Sequence, residues 1–166
     1  MNDNPVDVFR RLTTGVYVIG VAHSGRANGF TAAWLTQVSF DPLLIVLSVN
    51  PHNASFSLLH DSGGFVVNVL RREQQNFARQ FGTRSARDTD KLSDIRWRPG
   101  RTGAPILADG LAYLDCELTG RMQAGDHDLV LGRVLEGRIL DQSAEPLTYA
   151  ETGDLDGSAE LYPERF

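Results

Sequence analysis

The spacing of apolar and polar positions predicts a chain made mainly of β-strands. Residues Val16–Ala22 are apolar and mostly β-branched, and the Ser24-Gly25 pair that follows favours a tight turn into a strand beginning near Arg26. A polar, glycine-bearing strand is predicted over Asn28–Thr36. The unbroken apolar run Leu43–Val49 is typical of a central strand that is covered on both faces.

In the second half of the chain, apolar and polar residues also alternate as they do in strands. Two long alternating segments, Leu111–Gln123 and Leu129–Asp141, are joined by a short turn, and Phe65–Leu70 predicts a strand before them. Ile95–Arg98 and Pro146–Tyr149 indicate brief strands at most. The pattern therefore predicts about six or seven strands at hairpin spacing.

Three short helices are predicted between these strands. Val6–Thr13 has apolar residues at helical spacing, and Asn53 is a good N-cap for about two helical turns that end near Ser62. Glu73–Phe81 is amphipathic, and Gly82 is its predicted stop. Because helices do not follow every strand, the order of elements favours an antiparallel barrel over a sheet of βαβ units.

Length and composition indicate one domain. A chain of 166 residues with 42% hydrophobic content can form one core of ordinary size, so residues 1–166 are predicted to fold as a single domain. Thr83–Asp94 is predicted to be a surface loop with one helical turn near Asp90–Leu92. The tail from Glu151 is acidic and rich in small residues, which predicts a segment that is mobile or depends on a partner surface.

Charge and residue counts argue against several functional classes. The formal net charge is −5 and no block of Lys or Arg occurs, so neither nucleic acid nor an anionic membrane is an expected partner. The N-terminus lacks a signal-peptide core and no segment has the ~20 apolar residues of a membrane span, which predicts a soluble, cytoplasmic protein. Cys116 is the one cysteine and is predicted to be a buried structural thiol, and the four histidines lack metal-ligand spacing.

Hydroxyl and amide side chains recur near strand ends and at a predicted helix start. They are Thr31, Thr36, Ser39, Ser48, Asn50, Asn53 and Ser55. Backbone donors are also free at such places, so this set can hold an anionic, hydrogen-bonding ligand. The alternative is a hairpin and a helix with ordinary caps. The sequence has no dinucleotide glycine motif, no phosphate-binding loop and no nucleophile elbow.

Four sequence blocks, in the same order, resemble the flavin-reductase-like, FMN-binding split barrels. The blocks are TTGVYVIGVA, ANGFTAAWLTQVSFDPLLIVLSV, SGGFVVNVL and GDHDLVLGRV, and together they cover most of Thr13–Val134. This family includes the small reductase components of two-component flavin monooxygenases and the flavoredoxins. The resemblance implies a mainly β fold, an antiparallel Greek-key split β-barrel with a few short helices.

The resemblance also implies a flavin site. The strand Asn28–Trp34 would run along the isoalloxazine ring with Thr31 at its polar edge, and the chain from Ser48 to Ser55 would lie near the ribityl chain and phosphate. His127 would lie where nicotinamide stacks, unless it only caps its own turn. The implied cofactor-binding residues are Asn28, Thr31, Ala32, Ala33, Trp34, Ser48, Asn50, Asn53, Ser55, Arg87 and Lys91, and the implied catalytic residue is His127.

Further expectations concern ligands and partners. The resemblance implies FMN, or alternatively FAD, with NADH or NADPH as hydride donor, and a homodimer, since a small barrel has no room to bury a flavin alone. Trp34 and Pro42-Leu43 depart from many reductase components, and FTAAWLTQVS is closer to flavoredoxins and to domains of larger flavoproteins. Trp34 therefore either contacts flavin or packs in a core or interface. Three classes stay open: a flavin reductase supplying a monooxygenase, an electron carrier with bound FMN, and a flavin-binding barrel without reductase activity.

Overall fold

A computed structural model describes residues 4–83 and 90–163 and shows a curled antiparallel sheet of seven strands, in the order β2-β1-β5-β8-β9-β4-β3. A second sheet pairs β6 with β7. The strands are β1 (Tyr17–His23), β2 (Arg26–Ala32), β3 (Leu35–Ser39), β4 (Leu44–Val49), β5 (Gly64–Val69), β6 (Trp97–Pro99), β7 (Pro105–Leu107), β8 (Ala112–Ala124) and β9 (His127–Ile139). The helices are α1 (Pro5–Phe9), α2 (Phe56–Asp61) and α3 (Gln75–Thr83), with 3-10 turns at Tyr149–Thr152 and Ser158–Leu161.

The order of strands forces the sheet to curl. Its two edge strands, β2 and β3, are consecutive in the chain, and only Ala33 and Trp34 separate them. Two residues cannot span an open sheet of seven strands, since adjacent strands lie about 4.8 Å apart. The edges therefore approach each other and leave a seam, so the predicted split barrel is confirmed.

Alternation along the strands divides the core into an inner and an outer cluster. In β1, Ile19 packs inside the barrel with Phe30 and Leu47, while its neighbour Val18 packs outside with Phe81 of α3 and with Leu147. Helix α2 contributes to the inner cluster and covers one end of the barrel. The same strands thus contribute side chains to both apolar clusters. The seam lies between the two edge strands, β2 and β3.

Two predicted strands differ from the observed ones. The predicted strand Asn28–Thr36 is broken at Ala33-Trp34, because the chain there leaves one edge of the sheet and joins the other. Within the single chain, the prediction that Leu43–Val49 is covered on both faces is wrong. In β4 the residues Ile45, Leu47 and Val49 are buried but the intervening positions are half-buried, since only the inner face meets the core.

The predicted ends of the helices also need correction. Helix α1 ends at Phe9 rather than Thr13, and α3 continues through Gly82. The N-cap of α2 is Ser55 rather than Asn53, whose Oδ1 accepts a hydrogen bond from the Ser55 amide at 2.9 Å in a turn before the helix.

The end of the chain is more regular than its composition predicts. Pro146–Tyr149 forms only isolated bridges instead of a strand. Beyond it, residues 149–161 contain two 3-10 turns, and Glu151 forms an ion pair with Arg72 at 2.8 Å, so a tail that is mobile or depends on a partner surface stays a prediction. The short β7 has no counterpart in the prediction. Within the described ranges, every helix is too short or too polar to cross a bilayer.

Candidate functional site

The seam of the barrel exposes backbone groups that a closed barrel would pair. The Ser48 amide donates to the Trp34 carbonyl at 2.9 Å, and the Leu35 amide donates to the Ala33 carbonyl at 3.2 Å. Among residues 4–83 and 90–163, the amides of Ala33 and Trp34 have no acceptor. Two adjacent N–H donors that are left open in this way can bind a carbonyl or anionic group of a ligand.

Trp34 and His127 lie together beside the seam. Their ring centroids are 4.9 Å apart and the rings are tilted by 40°. Trp34 is 48% exposed, whereas the His127 side chain is only 18% exposed. The contact joins the segment that follows β2 to the start of β9, two regions that are distant in sequence, and leaves about half of the Trp34 surface exposed.

The β8–β9 hairpin fixes the position of His127. Ala124 pairs with His127, so the loop consists of Gly125 and Asp126, and Gly125 has a φ of 63°, which glycine adopts without strain. The Asp126 Oδ1 lies 2.7 Å from the Nδ1 of His127. This hydrogen bond and the charge of His127 lower the pKa of Asp126. The carboxylate therefore orients the imidazole from the solvent side.

Ser48 and Asn50 continue the site along β4. Ser48 pairs with Leu129 and lies on the half-buried outer face, opposite the buried side of the strand. The carbonyl of Asn50 accepts from the Asn53 amide and its Oδ1 accepts from the His52 amide, each at 2.9 Å. Asn50 thereby turns the chain away from β4. The backbone N–H of Asn50 has no acceptor in the described part of the chain.

Ser55 and Ser48 lie in different surroundings, and their joint assignment to the flavin phosphate stays a prediction. Ser55 is 1% exposed, and its Oγ accepts a hydrogen bond from the Asn28 Nδ2 at 2.9 Å. Asn28 is on the same side of β2 as Phe30, which belongs to the inner core. Asn28 and Ser55 therefore meet each other at the end of the barrel, whereas Ser48 is on its outer face.

Thr31 and Lys91 attach α3 to β2. The Thr31 hydroxyl donates to the Ala78 carbonyl at 2.7 Å, and the Lys91 ammonium donates to the carbonyls of Phe81 at 3.0 Å and Gly29 at 3.3 Å. Burial lowers the pKa of Lys91. Both polar groups therefore hold the helix against the strand, and their assignment to flavin stays a prediction.

The remaining predicted residues fall in different places. Ala32 and Ala33 line a small cavity of about 100 Å³ together with Thr31. Thr36 is exposed, and its hydroxyl donates to the Gln37 carbonyl at 3.4 Å. Arg87 lies outside the described residues.

A larger cavity opens on the other side of Trp34. Its volume is about 790 Å³, and α1 and the segment after Leu147 form its walls. Aromatic and aliphatic side chains dominate the lining: Phe9, Leu12, Trp34, Tyr149 and Tyr162. Trp34 is therefore a wall shared by the seam and this cavity.

Comparison with known proteins agrees with this architecture. The model of the flavin reductase like domain family matches residues 9–156. The chain belongs to this family. The sequence-based recognition is thus confirmed, and it extends beyond the four blocks, into α1 and the segment after Leu147.

Relatives of this flavin reductase like domain differ in size. A diflavin flavoprotein A of Synechocystis is 36% identical over 84% of this chain, which spans only 24% of that relative. The crystal structure of nitrilotriacetate monooxygenase component B from Mycobacterium thermoresistibile is 31% identical, with a TM-score of 0.79 over 89% of this chain and 84% of the other. The NADH:FAD oxidoreductase SgcE6 of Streptomyces globisporus is 29% identical, with a TM-score of 0.82 over 90% and 92% of the two chains.

Sequence reasoning on this flavin reductase like domain missed the cavity beside Trp34. The cavity beside Trp34 depends on Phe9 and Leu12 from the N-terminal end and on Tyr149 and Tyr162 from the other end of the chain. An available signal was the presence of large apolar residues in segments too short for a core helix. Nothing in the local pattern indicated that these segments face each other across Trp34.

Proposed function

We propose that this chain is an NAD(P)H-dependent flavin reductase that binds FMN or FAD at the barrel seam and passes reduced flavin or electrons to a partner enzyme. The observation that carries the proposal is the seam itself, where free amides of Ala33 and Trp34 lie beside the Trp34–His127 pair. Two structural relatives, a monooxygenase component and an NADH:FAD oxidoreductase, support it.

The residues at the seam suit a flavin. Its pyrimidine edge carries carbonyl oxygens, which the amides of Ala33 and Trp34 are free to bind. The Ser48 hydroxyl and the Asn50 amide add polar contacts beyond that edge. Bound flavin supplies the redox chemistry, so the protein has to provide binding, orientation and electrostatics rather than a catalytic triad.

His127 is proposed to orient the nicotinamide. Asp126 holds its Nδ1, which leaves the Nε2 edge for a substrate group. Trp34 supports the ring from the side at a centroid distance of 4.9 Å. An imidazole held in this way beside Trp34 would position the nicotinamide ring and would not contribute to flavin affinity. The alternative is that His127 only caps its turn. In that case, removing its side chain would not change the rate of flavin reduction by NAD(P)H.

A second copy of the chain is proposed to complete the site. The β3 strand, the β3–β4 turn and β8 expose Val38, Phe40, Leu43 and Met122, and Phe40 is 90% exposed. Met122 pairs with Leu129, which pairs with Ser48, so these three side chains share the outer face that carries part of the proposed flavin site. A partner on this face would cover the apolar residues and enclose the flavin in one step.

The electron-carrier class stays the second candidate, which the relatives support less than they support flavin reduction. The diflavin flavoprotein of Synechocystis is a much longer protein of which this chain matches 24%. If this chain were an electron carrier, it would keep FMN bound and receive electrons from a protein rather than release reduced flavin. The partner would then be an electron-transfer protein instead of a monooxygenase.

One assay separates the proposals. Oxidation of NADH and NADPH is measured with and without added FMN, on protein whose bound flavin has been quantified. A flavin reductase oxidises NAD(P)H at a rate that saturates with free FMN. An electron carrier holds stoichiometric flavin and gains no rate from free FMN. If the protein neither binds flavin nor oxidises NAD(P)H, both the flavin reductase and the electron-carrier proposals are wrong.

A further inference from the structure

The cavity beyond Trp34 has the dimensions of a site for a nucleotide half rather than of a packing defect. It has a volume of about 790 Å³, within the range of roughly 300–1,000 Å³ that ligand sites occupy. Phe9 and Leu12 line it while remaining 58% and 60% exposed. Large apolar side chains left open around a concavity indicate a surface that a planar apolar group covers.

The walls of the cavity are held in place by polar contacts behind them. Glu151 accepts from the amide and hydroxyl of Thr148 at 2.9 and 2.8 Å and pairs with Arg72 at 2.8 Å. The Tyr149 hydroxyl contacts Ser158 at 2.7 Å and Asp156 at 3.0 Å. These bonds order the segment before a ligand arrives, so little of the binding free energy is lost in ordering it.

Two charged side chains line the same cavity. The Arg10 Nη1 lies 3.6 Å from the Asp7 carboxylate, and the Arg10 side chain is about half exposed, so its guanidinium stays available. The Asp154 Oδ1 accepts from the Ala159 amide at 3.1 Å. Within residues 4–83 and 90–163 Asp154 forms no ion pair, and its second oxygen is open to a ligand donor.

We propose that this cavity binds the adenosine diphosphate half of a dinucleotide whose ribose has a free 2′-hydroxyl. The aromatic wall stacks the adenine, Arg10 contacts the diphosphate, and Asp154 accepts from the ribose hydroxyl. A 2′-phosphate would meet the Asp154 carboxylate and be repelled. The inference rests on the proposed function, and it makes NADH rather than NADPH the preferred hydride donor.

The adenosine diphosphate group could belong to either of two ligands, because FAD and NADH both carry it. Trp34 is common to the seam and the cavity, so either dinucleotide can place its redox ring at the seam and its adenosine in the cavity. If the group belongs to FAD, the cavity determines flavin choice. If it belongs to NADH, the cavity determines nicotinamide choice.

The test uses ADP-ribose and ADP-ribose 2′-phosphate, titrated calorimetrically into the purified chain. Asp154→Asn removes the charge and keeps a side-chain oxygen for the Ala159 amide. Glu160→Gln is the matched control, since it removes an exposed charge from the same segment at a position outside the cavity lining. We expect wild type and Glu160→Gln to prefer ADP-ribose by about tenfold, and Asp154→Asn to lose most of that preference.

The sources are separated by two ratios measured on the same proteins. If Asp154→Asn lowers the NADH to NADPH ratio of kcat/KM, the cavity holds the hydride donor. If it lowers the FAD to FMN ratio of affinities instead, the cavity holds the flavin adenosine.

The proposal is overturned if ADP-ribose gives no binding signal at millimolar concentration. It is equally overturned if Asp154→Asn and Glu160→Gln change its affinity by the same factor. Absence of NAD(P)H oxidation in the wild type would count against the flavin reductase assignment alone, because the calorimetric titrations require no turnover.

Discussion

The hydrogen bond between Asn28 and Ser55 gives the sharpest prediction, because two residues that the sequence assigned to flavin are bonded to each other. The Asn28 Nδ2 donates to the Ser55 Oγ at 2.9 Å, and Ser55 is 1% exposed. Ser55→Ala removes the hydroxyl alone and keeps the backbone amide that donates to Asn53. The change therefore leaves the Asn28 amide without this acceptor and leaves the turn before α2 intact.

The size of the effect follows from the burial of the bond. Leaving a fully buried donor unpaired costs about 1–3 kcal/mol, and because Asn28 is only half-buried, Ser55→Ala should lower the free energy of unfolding by about 1 kcal/mol, the low end of that range. For a chain of this length each kcal/mol lowers Tm by about 2–4 °C. Because both variants lose the same bond, Asn28→Ala and Ser55→Ala should be coupled by roughly 1 kcal/mol in a double-mutant cycle. Ser57→Ala, at an exposed position of α2, should change the free energy of unfolding by less than about 0.5 kcal/mol.

The assay is urea unfolding of the four proteins of the cycle and of the Ser57→Ala control, followed by titration with FMN and riboflavin. A bond that only supports the barrel end predicts that Ser55→Ala weakens both flavins by the same factor. Direct contact of Ser55 with the flavin phosphate, as the sequence suggested, predicts loss for FMN alone. Strictly additive losses of stability would refute the bond as the physical link between the two residues.

Three further predictions concern pH, catalysis and assembly. Burial raises the pKa of Cys116 to about 12 from an ordinary value of 9.0. The unfolded chain therefore loses this proton first, and stability that is complete below pH 9 falls as the pH rises toward 12. The loss should reach about 2 kcal/mol near pH ~10.5, and urea unfolding of Cys116→Ala should show a flatter pH profile by that amount. His127→Ala should slow anaerobic reduction of bound flavin in stopped-flow experiments with little change in flavin affinity. The control is His60→Ala, which removes an exposed histidine that contacts its neighbour Asp61 at 3.0 Å, and an equal reduction rate in all three proteins would contradict the role of His127. Sedimentation should give about twice the chain mass of 18.3 kDa, and Phe40→Glu should shift it toward the monomer, whereas a wild-type monomer holding stoichiometric flavin would rule out the shared site.

The sequence by itself determined the local elements and the family. The apolar run in β1 and the long alternating segments of β8 and β9 were recognisable because a strand repeats every two residues and a hairpin brings neighbours in sequence together. The same locality predicted a turn over Ala124–Asp128, although the structure limits the loop to Gly125 and Asp126 and begins β9 at His127. The four blocks identified the flavin reductase like family from motifs that are each continuous in the chain.

Only the tertiary structure decided which polar groups meet. Periodicity tells that Ser48 and Leu47 point to opposite faces, but it does not tell which face lines the barrel once the sheet has curled. That closure leaves Ser48 and Ser55 in different surroundings and directs Thr31 toward α3. It also breaks the predicted strand at Ala33-Trp34, because these two residues have to cross from one edge of the sheet to the other.

The contacts beside Trp34 could not be predicted from the sequence either, because they form only once the sheet has curled. Trp34 meets His127 from β9 on one side and a cavity lined by Phe9 and Tyr149 on the other. These residues come from four regions of the chain, and none has a neighbour in sequence that predicts the others. Local hydrogen bonding and side-chain alternation set the strands, whereas the site depends on long-range packing that exists only after the barrel has closed.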